Sequence, residues 1–165
     1  MGSSTRKSSL SLLGLAAAVT LLVTAPLALA AVTIEEYKEA VEPICKRNSE
    51  TSTAILKGVK TQVQQDRLVP AGKRFIRAAG ALGKAVTQIA AEPQPSEYEV
   101  KLDKWIGYLK EQKTYLQKIG QALKTGNKFK AQQSAVKLNK ANKRANDTVI
   151  SFGFNHCRID SSKYL

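Results

Sequence analysis

The sequence has very few of the side chains that bind metals or activate nucleophiles. It contains one histidine, His156, and one methionine, Met1. A haem-binding bundle needs two axial ligands, typically from these two residue types, and a di-iron bundle needs paired Glu-x-x-His motifs. No nucleophile elbow or Gly-rich phosphate loop occurs either. The sequence therefore predicts no cofactor, no metal site and no catalytic residues, which makes an enzyme an unfavourable interpretation.

Charge is missing from a long segment near the N-terminus. After Arg6 and Lys7, no charged residue occurs from Leu10 to Val32. A basic start followed by an apolar stretch is typical of a signal peptide. The alternative is an uncleaved membrane anchor, because about 20 apolar residues can span a bilayer. In that case the chain would be a membrane-tethered structural protein.

Small residues at the end of this segment favour cleavage. Ala28 and Ala30 match the Ala-x-Ala pattern, and cleavage after it would leave Ala31 as the first mature residue. We therefore predict a signal peptide over residues 1–30. The remaining chain would be secreted, or held outside the cytoplasm at the cell envelope.

The chain has two cysteines, Cys45 and Cys157. In an exported protein, an even number of cysteines indicates a disulfide. This pairing would close a loop of 112 residues, which is worth roughly 4–5 kcal/mol on the loop-entropy model. His156 could join them as a third zinc ligand only if both thiols remained reduced.

Composition and spacing predict helices and no sheet. Lys, Gln, Ala and Leu favour helix, and apolar residues recur at three- and four-residue intervals. Four amphipathic helices with short connections predict an all-α, antiparallel up-down-up-down four-helix bundle. The predicted helices run from about Thr33 to Gln65, Ala71 to Ala91, Ser96 to Gly126 and Lys128 to Phe152. The bundle domain would cover residues 31–157, with a C-terminal tail over residues 158–165.

Several residues predict local features of these helices. Pro43 should kink the first helix or start a new one. Ser96 and Glu99 have the spacing of a capping box. Gly126 should end the third helix, and Asn127 should cap the fourth.

The second predicted helix is rich in small residues. Another helix could therefore approach it closely. The small residues are Ala78, Gly80, Ala81, Gly83 and Ala85.

The cysteine positions agree with the predicted topology. Cys45 lies near the start of the first helix, and Cys157 follows the end of the fourth. An up-down-up-down bundle brings these two ends together. A disulfide there would tie the first helix to the last.

Four polar residues occupy positions where the helical spacing expects apolar side chains. Buried amides are unfavourable unless they are hydrogen-bonded. We expect these residues to pair with one another and fix the helix register. The alternative is a small polar cavity, which would suit a small-ligand carrier. The residues are Asn48, Ser52, Gln112 and Asn142.

The predicted mature chain is strongly basic, with 24 basic and 13 acidic residues and a net charge of about +11. Such a surface favours anionic envelope polymers or lipid headgroups. Aromatic residues do not alternate with the lysines, so specific nucleic-acid binding is not indicated. The second helix adds Lys73, Arg74, Arg77 and Lys84. The predicted binding face on the fourth helix comprises Lys130, Lys137, Lys140, Lys143 and Arg144.

Three segments resemble a known group of proteins. They are Pro43-Ile44-Cys45-Lys46-Arg47-Asn48, Ile55-Leu56-Lys57-Gly58-Val59 and Phe152-Gly153-Phe154-Asn155-His156-Cys157-Arg158. With them the chain resembles uncharacterised exported small helical proteins of high-GC Gram-positive bacteria. The resemblance implies a two-cysteine bundle and an exported location, and it carries no activity. The sequence thus predicts an exported, non-catalytic bundle that binds anionic envelope material or a protein partner.

Overall fold

The computed structural model describes residues 31–159, and it confirms an all-α four-helix bundle. This part of the chain contains no strands. The predicted signal peptide, which includes Ala28 and Ala30, lies outside the described residues. Residues 160–165 of the predicted tail also lie outside them. Among the helices described, none has the length and apolar character needed to cross a bilayer. The helices are α1 (Ile34–Leu56), α2 (Val59–Gln64), α3 (Leu68–Ala91), α4 (Glu99–Lys124) and α5 (Lys128–Val149).

The first predicted helix is divided in the structure. Helix α1 contains Pro43 in its interior and is bent by 32°, in keeping with the missing N–H of proline. It ends at Leu56, and α2 starts after Gly58, whose φ is 75°. This left-handed conformation is readily available to glycine. The prediction of one continuous helix to Gln65 was therefore wrong at Gly58.

The sequence predicted two helix caps, and the structure contains one of them. The Asn127 side chain accepts a hydrogen bond from the Lys130 N–H at 2.9 Å, which confirms the cap of α5. The capping box predicted at Ser96 and Glu99 was wrong, because Ser96–Tyr98 forms a 3-10 turn and no side chain caps α4. In that turn the Tyr98 N–H donates to the Pro95 carbonyl at 2.9 Å.

A complete capping box instead starts α1. The Glu36 carboxylate accepts from the Thr33 N–H at 2.8 Å, and the Thr33 hydroxyl accepts from the Glu36 N–H at 3.2 Å. The hydrogen bonds from the Thr33 backbone and side chain lower the pKa of Glu36. This pair satisfies two N–H groups that the first turn of a helix leaves free.

Two apolar clusters form the core, one towards each end of the bundle. The first contains Tyr37 and Val41 of α1 with Trp105 of α4. The second contains Leu56 of α1 and Phe75 of α3. In the first cluster, the start of α1 meets the end of α3, the start of α4 and the end of α5. This arrangement is that of an up-down-up-down bundle.

Helices α3 and α4 approach each other closely at two facing glycines. A Cβ atom added to Gly72 would lie 2.5 Å from the Gly120 carbonyl oxygen, and one added to Gly120 would lie 2.6 Å from the Gly72 carbonyl oxygen. A Cβ at Gly80 would have no neighbour within 4 Å, and one at Gly83 would meet only the Lys113 side chain. Helix α4 therefore approaches α3 closely, as the small residues of α3 predicted, but this contact depends on Gly72.

Tyr37 is a buried titratable residue in the first cluster. Its side chain is 1% exposed, and its hydroxyl has no hydrogen-bond partner among the described residues. Burial, together with the nearby carboxylates of Glu92 and Asp103, raises the pKa of Tyr37 far above its usual value. The folded protein therefore keeps this phenol neutral under conditions in which the unfolded chain ionises it.

Tyr37→Phe should reduce the loss of stability at alkaline pH. In the unfolded chain the phenol ionises near pH 10. The contribution of Tyr37 is complete below that pH and is lost as the pH rises towards the higher folded-state pKa, by up to about 1.4 kcal/mol per pH unit. Denaturant unfolding at about pH 8 and about pH 11 measures this loss. Equal losses in both proteins would contradict the prediction.

Candidate functional site

Cys45 of α1 and Cys157, which follows α5, join the first helix of the bundle to the segment after the last. Their sulfur atoms lie 2.12 Å apart, at disulfide-bond distance, and their Cα atoms lie 4.9 Å apart. The start of the bundle and the segment after α5 are therefore neighbours, as the topology predicts. Both cysteines are buried.

Two polar side chains hold the segment around Cys157. The Glu42 carboxylate accepts from the backbone N–H groups of Asn155 and His156, the latter at 2.7 Å. The Asn146 amide donates to the Ile159 carbonyl and accepts from the Ile159 N–H, both at 2.9 Å. Residues 155–159 are thus fixed against α1 and α5. The first two residues of the predicted tail, 158 and 159, belong to this ordered segment.

A cavity with some polar lining residues lies between the two apolar clusters. Its volume is about 140 Å³. Gln112 and Asn142 line it and are 1% and 4% exposed. Apolar walls come from Leu82, Leu109 and Leu138. The outer part is lined by Asn48, Ser49, His156, Arg158 and Ile159.

The four polar seam residues do not form the network that their spacing suggested. Ser52 donates to Asn48 within α1 at 3.5 Å, which is a long hydrogen bond. Both polar atoms of the Gln112 amide, and the Asn142 Oδ1, are buried without a hydrogen-bond partner in the described part of the chain. The expectation that the four residues pair with one another therefore holds only for Ser52 and Asn48, and it was wrong for Gln112.

The basic face predicted on the last helix lies on the exposed side of α5. Lys130, Lys137 and Lys140 are exposed. Lys143 forms an ion pair with Asp147 at 2.8 Å, and the Arg144 guanidinium lies 5.9 Å from the centre of the Tyr108 ring. Two of the five predicted cations therefore already have partners within the chain.

A second basic surface is concave, and it lies at the end of the bundle away from the cysteines. This cleft, here called the basic cleft, has a volume of about 660 Å³, and no carboxylate of the described part of the chain lines it. Gln62, Pro70 and Ile76 complete its lining. Its five cationic residues are Arg67, Lys73, Arg74, Arg77 and Lys124.

Helical spacing brings most of these cations to one side of α3. Lys73 and Arg77 are four residues apart and both are exposed. Arg74 is half-buried, and its guanidinium donates to the Lys57 carbonyl. Lys124 joins from the end of α4, where the facing glycines bring α4 close to α3. The sequence indicated Lys73, Arg74 and Arg77, but the contributions of Arg67 and Lys124 depend on the packing.

Comparisons with protein-family models, with curated proteins and with solved structures gave no match.

Proposed function

We propose that this chain is an exported, non-catalytic bundle that binds an anionic polymer of the cell envelope in the basic cleft. The observation that carries this proposal is the convergence of five cations on one concavity, where no carboxylate from residues 31–159 lies in the lining. A cleft lined by charges of one sign concentrates the field and attracts ligands of the opposite sign.

The chemistry of the cleft favours repeated phosphate or carboxylate groups. Arg67 and Arg77 can each donate two hydrogen bonds to one such group, and Lys73 and Lys124 add point charges. Among the residues that the structure describes, no aromatic side chain lines the cleft, and these residues offer no surface on which nucleobases could stack. A chain of anionic groups therefore suits this site better than a nucleic acid read by its bases.

Export is part of the proposal and has its own support. The charge-free segment from Leu10 to Val32 has the pattern of a signal peptide. A cysteine pair at bonding distance is compatible with an oxidising compartment outside the cytoplasm. Retention of residues 1–30 as an anchor is the alternative, and it would tether the same cleft to the membrane.

Lys73→Gln/Arg77→Gln should weaken binding of a soluble polyphosphate about tenfold or more, because each lysine or arginine near an anionic surface contributes about 1 kcal/mol. The matched control is Lys137→Gln/Lys140→Gln, which removes the same charge from α5 and should change the affinity less than about twofold. Fluorescence anisotropy with labelled polyphosphate, at about 50 mM and about 300 mM salt, measures both effects.

Three outcomes would contradict this assignment. Equal losses in the two double variants would mean that only net charge matters. A loss confined to the α5 variant would place the site on the predicted face of the last helix. Binding that does not weaken with salt would exclude contacts between exposed charges, because salt screens them.

A further inference from the structure

We propose that the exposed side of α5 docks on the surface of a bilayer that contains anionic lipids. This inference goes beyond the proposed function and does not depend on it, because none of the described residues that line the basic cleft belongs to α5. It depends on exposed apolar and basic side chains that share one side of the helix. These side chains, here called the lipid face, are Phe129, Lys130, Val136, Lys137 and Lys140.

The fold leaves two large apolar side chains of α5, Phe129 and Val136, in water. Their exposed fractions are 69% and 51%. Each lies two residues before a buried residue, Ala131 or Leu138, and a step of two residues turns an α-helix by about 200°. Both apolar side chains therefore lie on the side of α5 opposite the core. Because they are seven residues apart in sequence, or about two turns, they form one row along the helix.

A row of lysines runs beside these apolar side chains. Lys130 follows Phe129 and Lys137 follows Val136, so the two lysines have the same spacing as the apolar pair. Lys140 lies about one turn beyond Val136. All three lysines are exposed. The lipid face thus presents apolar groups and positive charge side by side.

Basic residues are concentrated at the end of the bundle where α5 begins. Residues 53–77 and 117–137, which surround the second apolar cluster, include eleven Lys and Arg residues and one acidic residue. That acidic residue, Asp66, forms an ion pair with Lys128. The other acidic residues of the described chain lie at the middle of the bundle or towards the cysteine end. An anionic surface therefore attracts the end of the bundle from which the lipid face extends.

The combination of groups favours a bilayer over other partners. A soluble polyanion would neutralise the lysines but would leave Phe129 and Val136 in water. A bilayer surface accommodates both kinds of group, because its headgroups carry negative charge and its acyl region takes up apolar side chains. A second copy of this chain that paired through the same face would bring the lysines of the two copies together, which is unfavourable.

The test measures co-sedimentation of the oxidised protein with vesicles. The chain used begins at Ala31, because it keeps every described helix and omits an apolar segment that is long enough to enter a bilayer by itself. One set of vesicles contains equal amounts of phosphatidylglycerol and phosphatidylcholine, and the other contains phosphatidylcholine alone. We expect the anionic vesicles to bind the protein about tenfold or more tightly, because several lysines lie at the contact.

Phe129→Gln/Val136→Gln removes the apolar part of the lipid face without changing its charge. This variant should lose about tenfold of the affinity for anionic vesicles, because neither side chain can then be buried in the bilayer. The matched control is Val100→Gln/Ile150→Gln, since these residues are also apolar and exposed, at 85% and 59%, and lie towards the cysteine end. The control should change the affinity less than about twofold.

Lys137→Gln/Lys140→Gln removes charge from the lipid face and keeps its apolar side chains. It should lose about tenfold or more of the affinity for anionic vesicles, and the loss should be largest at low salt. Lys73→Gln/Arg77→Gln, which alters the basic cleft, should lose less than about threefold. The two variants should rank in the reverse order with polyphosphate, so failure of this inference and failure of the proposed function are distinguishable.

Phe129→Trp locates the contact on α5 without removing an apolar group. Trp105 is 0% exposed, so a change of emission on adding vesicles reports the introduced tryptophan. The emission should shift to shorter wavelength with anionic vesicles, because the new indole leaves water. Val100→Trp, at the cysteine end, should show no shift.

Several results would overturn the proposal. Equal binding to neutral and anionic vesicles would show that charge takes no part. Equal losses in the two charge variants would assign vesicle binding to net charge instead of to the lipid face. Unshifted emission from Phe129→Trp on vesicles that bind the protein would place the contact elsewhere. Self-association that the apolar variant abolishes, without vesicle binding, would make a second copy of the chain the partner.

Discussion

Replacing Cys45 and Cys157 together with alanine should lower the free energy of unfolding by about 4 kcal/mol, the largest effect we expect in this chain. The two sulfur atoms lie at bonding distance, and the cysteines are 112 residues apart in sequence. Closing so long a loop removes much of the conformational freedom of the unfolded chain. Alanine is the appropriate replacement because both sites are buried and apolar. Denaturant unfolding measures the change.

Reduction of the unaltered protein is the matched control for this experiment. The reduced protein should lose nearly the same free energy as the double variant, because both lack the crosslink. Mass measurement after alkylation without reduction should show no added label. Two labelled thiols, or a double variant as stable as the unaltered protein, would contradict the prediction.

Gly72→Ala should lower the free energy of unfolding by about 3 kcal/mol, at the upper end of the usual effect of overpacking. The new Cβ would lie 2.5 Å from the Gly120 carbonyl oxygen and 2.9 Å from the Lys124 backbone nitrogen. Because both neighbours are backbone atoms, side-chain rotation cannot relieve the clash. Helices α3 and α4 would have to separate along their contact.

The same helix supplies the control for this substitution. Gly80→Ala adds a Cβ that meets nothing within 4 Å, so it should raise the free energy of unfolding by about 0.5–1 kcal/mol through helix propensity. Urea unfolding of both variants, with α-helix content followed by circular dichroism, provides the comparison. Stabilisation by both substitutions would mean that α3 and α4 do not touch at Gly72.

The polar middle of the bundle has a consequence for stability. A buried polar group without a partner destabilises the folded state by about 1–3 kcal/mol. Gln112 and Asn142 carry such groups, and neither residue belongs to the two apolar clusters of the core.

The sequence itself determined the features that depend on residues close together along the chain. Apolar residues recur at three- and four-residue spacing from Leu102 to Leu123, and most of them lie on the buried side of α4. Gly126 and Asn127 predicted the end of α4 and the start of α5. Helical periodicity and capping involve residues within about four positions of each other, so the sequence displays them directly. The presence of only two cysteines likewise left a single possible pairing.

Tertiary structure decided which of these residues meet. The small residues of α3 predicted a close approach, but only the packing showed that Gly72 faces Gly120. The polar seam was visible in the sequence, yet the missing partners of Gln112 depend on how four helices surround one space. Glu42 and His156 are 114 residues apart, and no local pattern relates them. Such contacts follow from the relative positions of whole helices, which the spacing within any one helix does not determine.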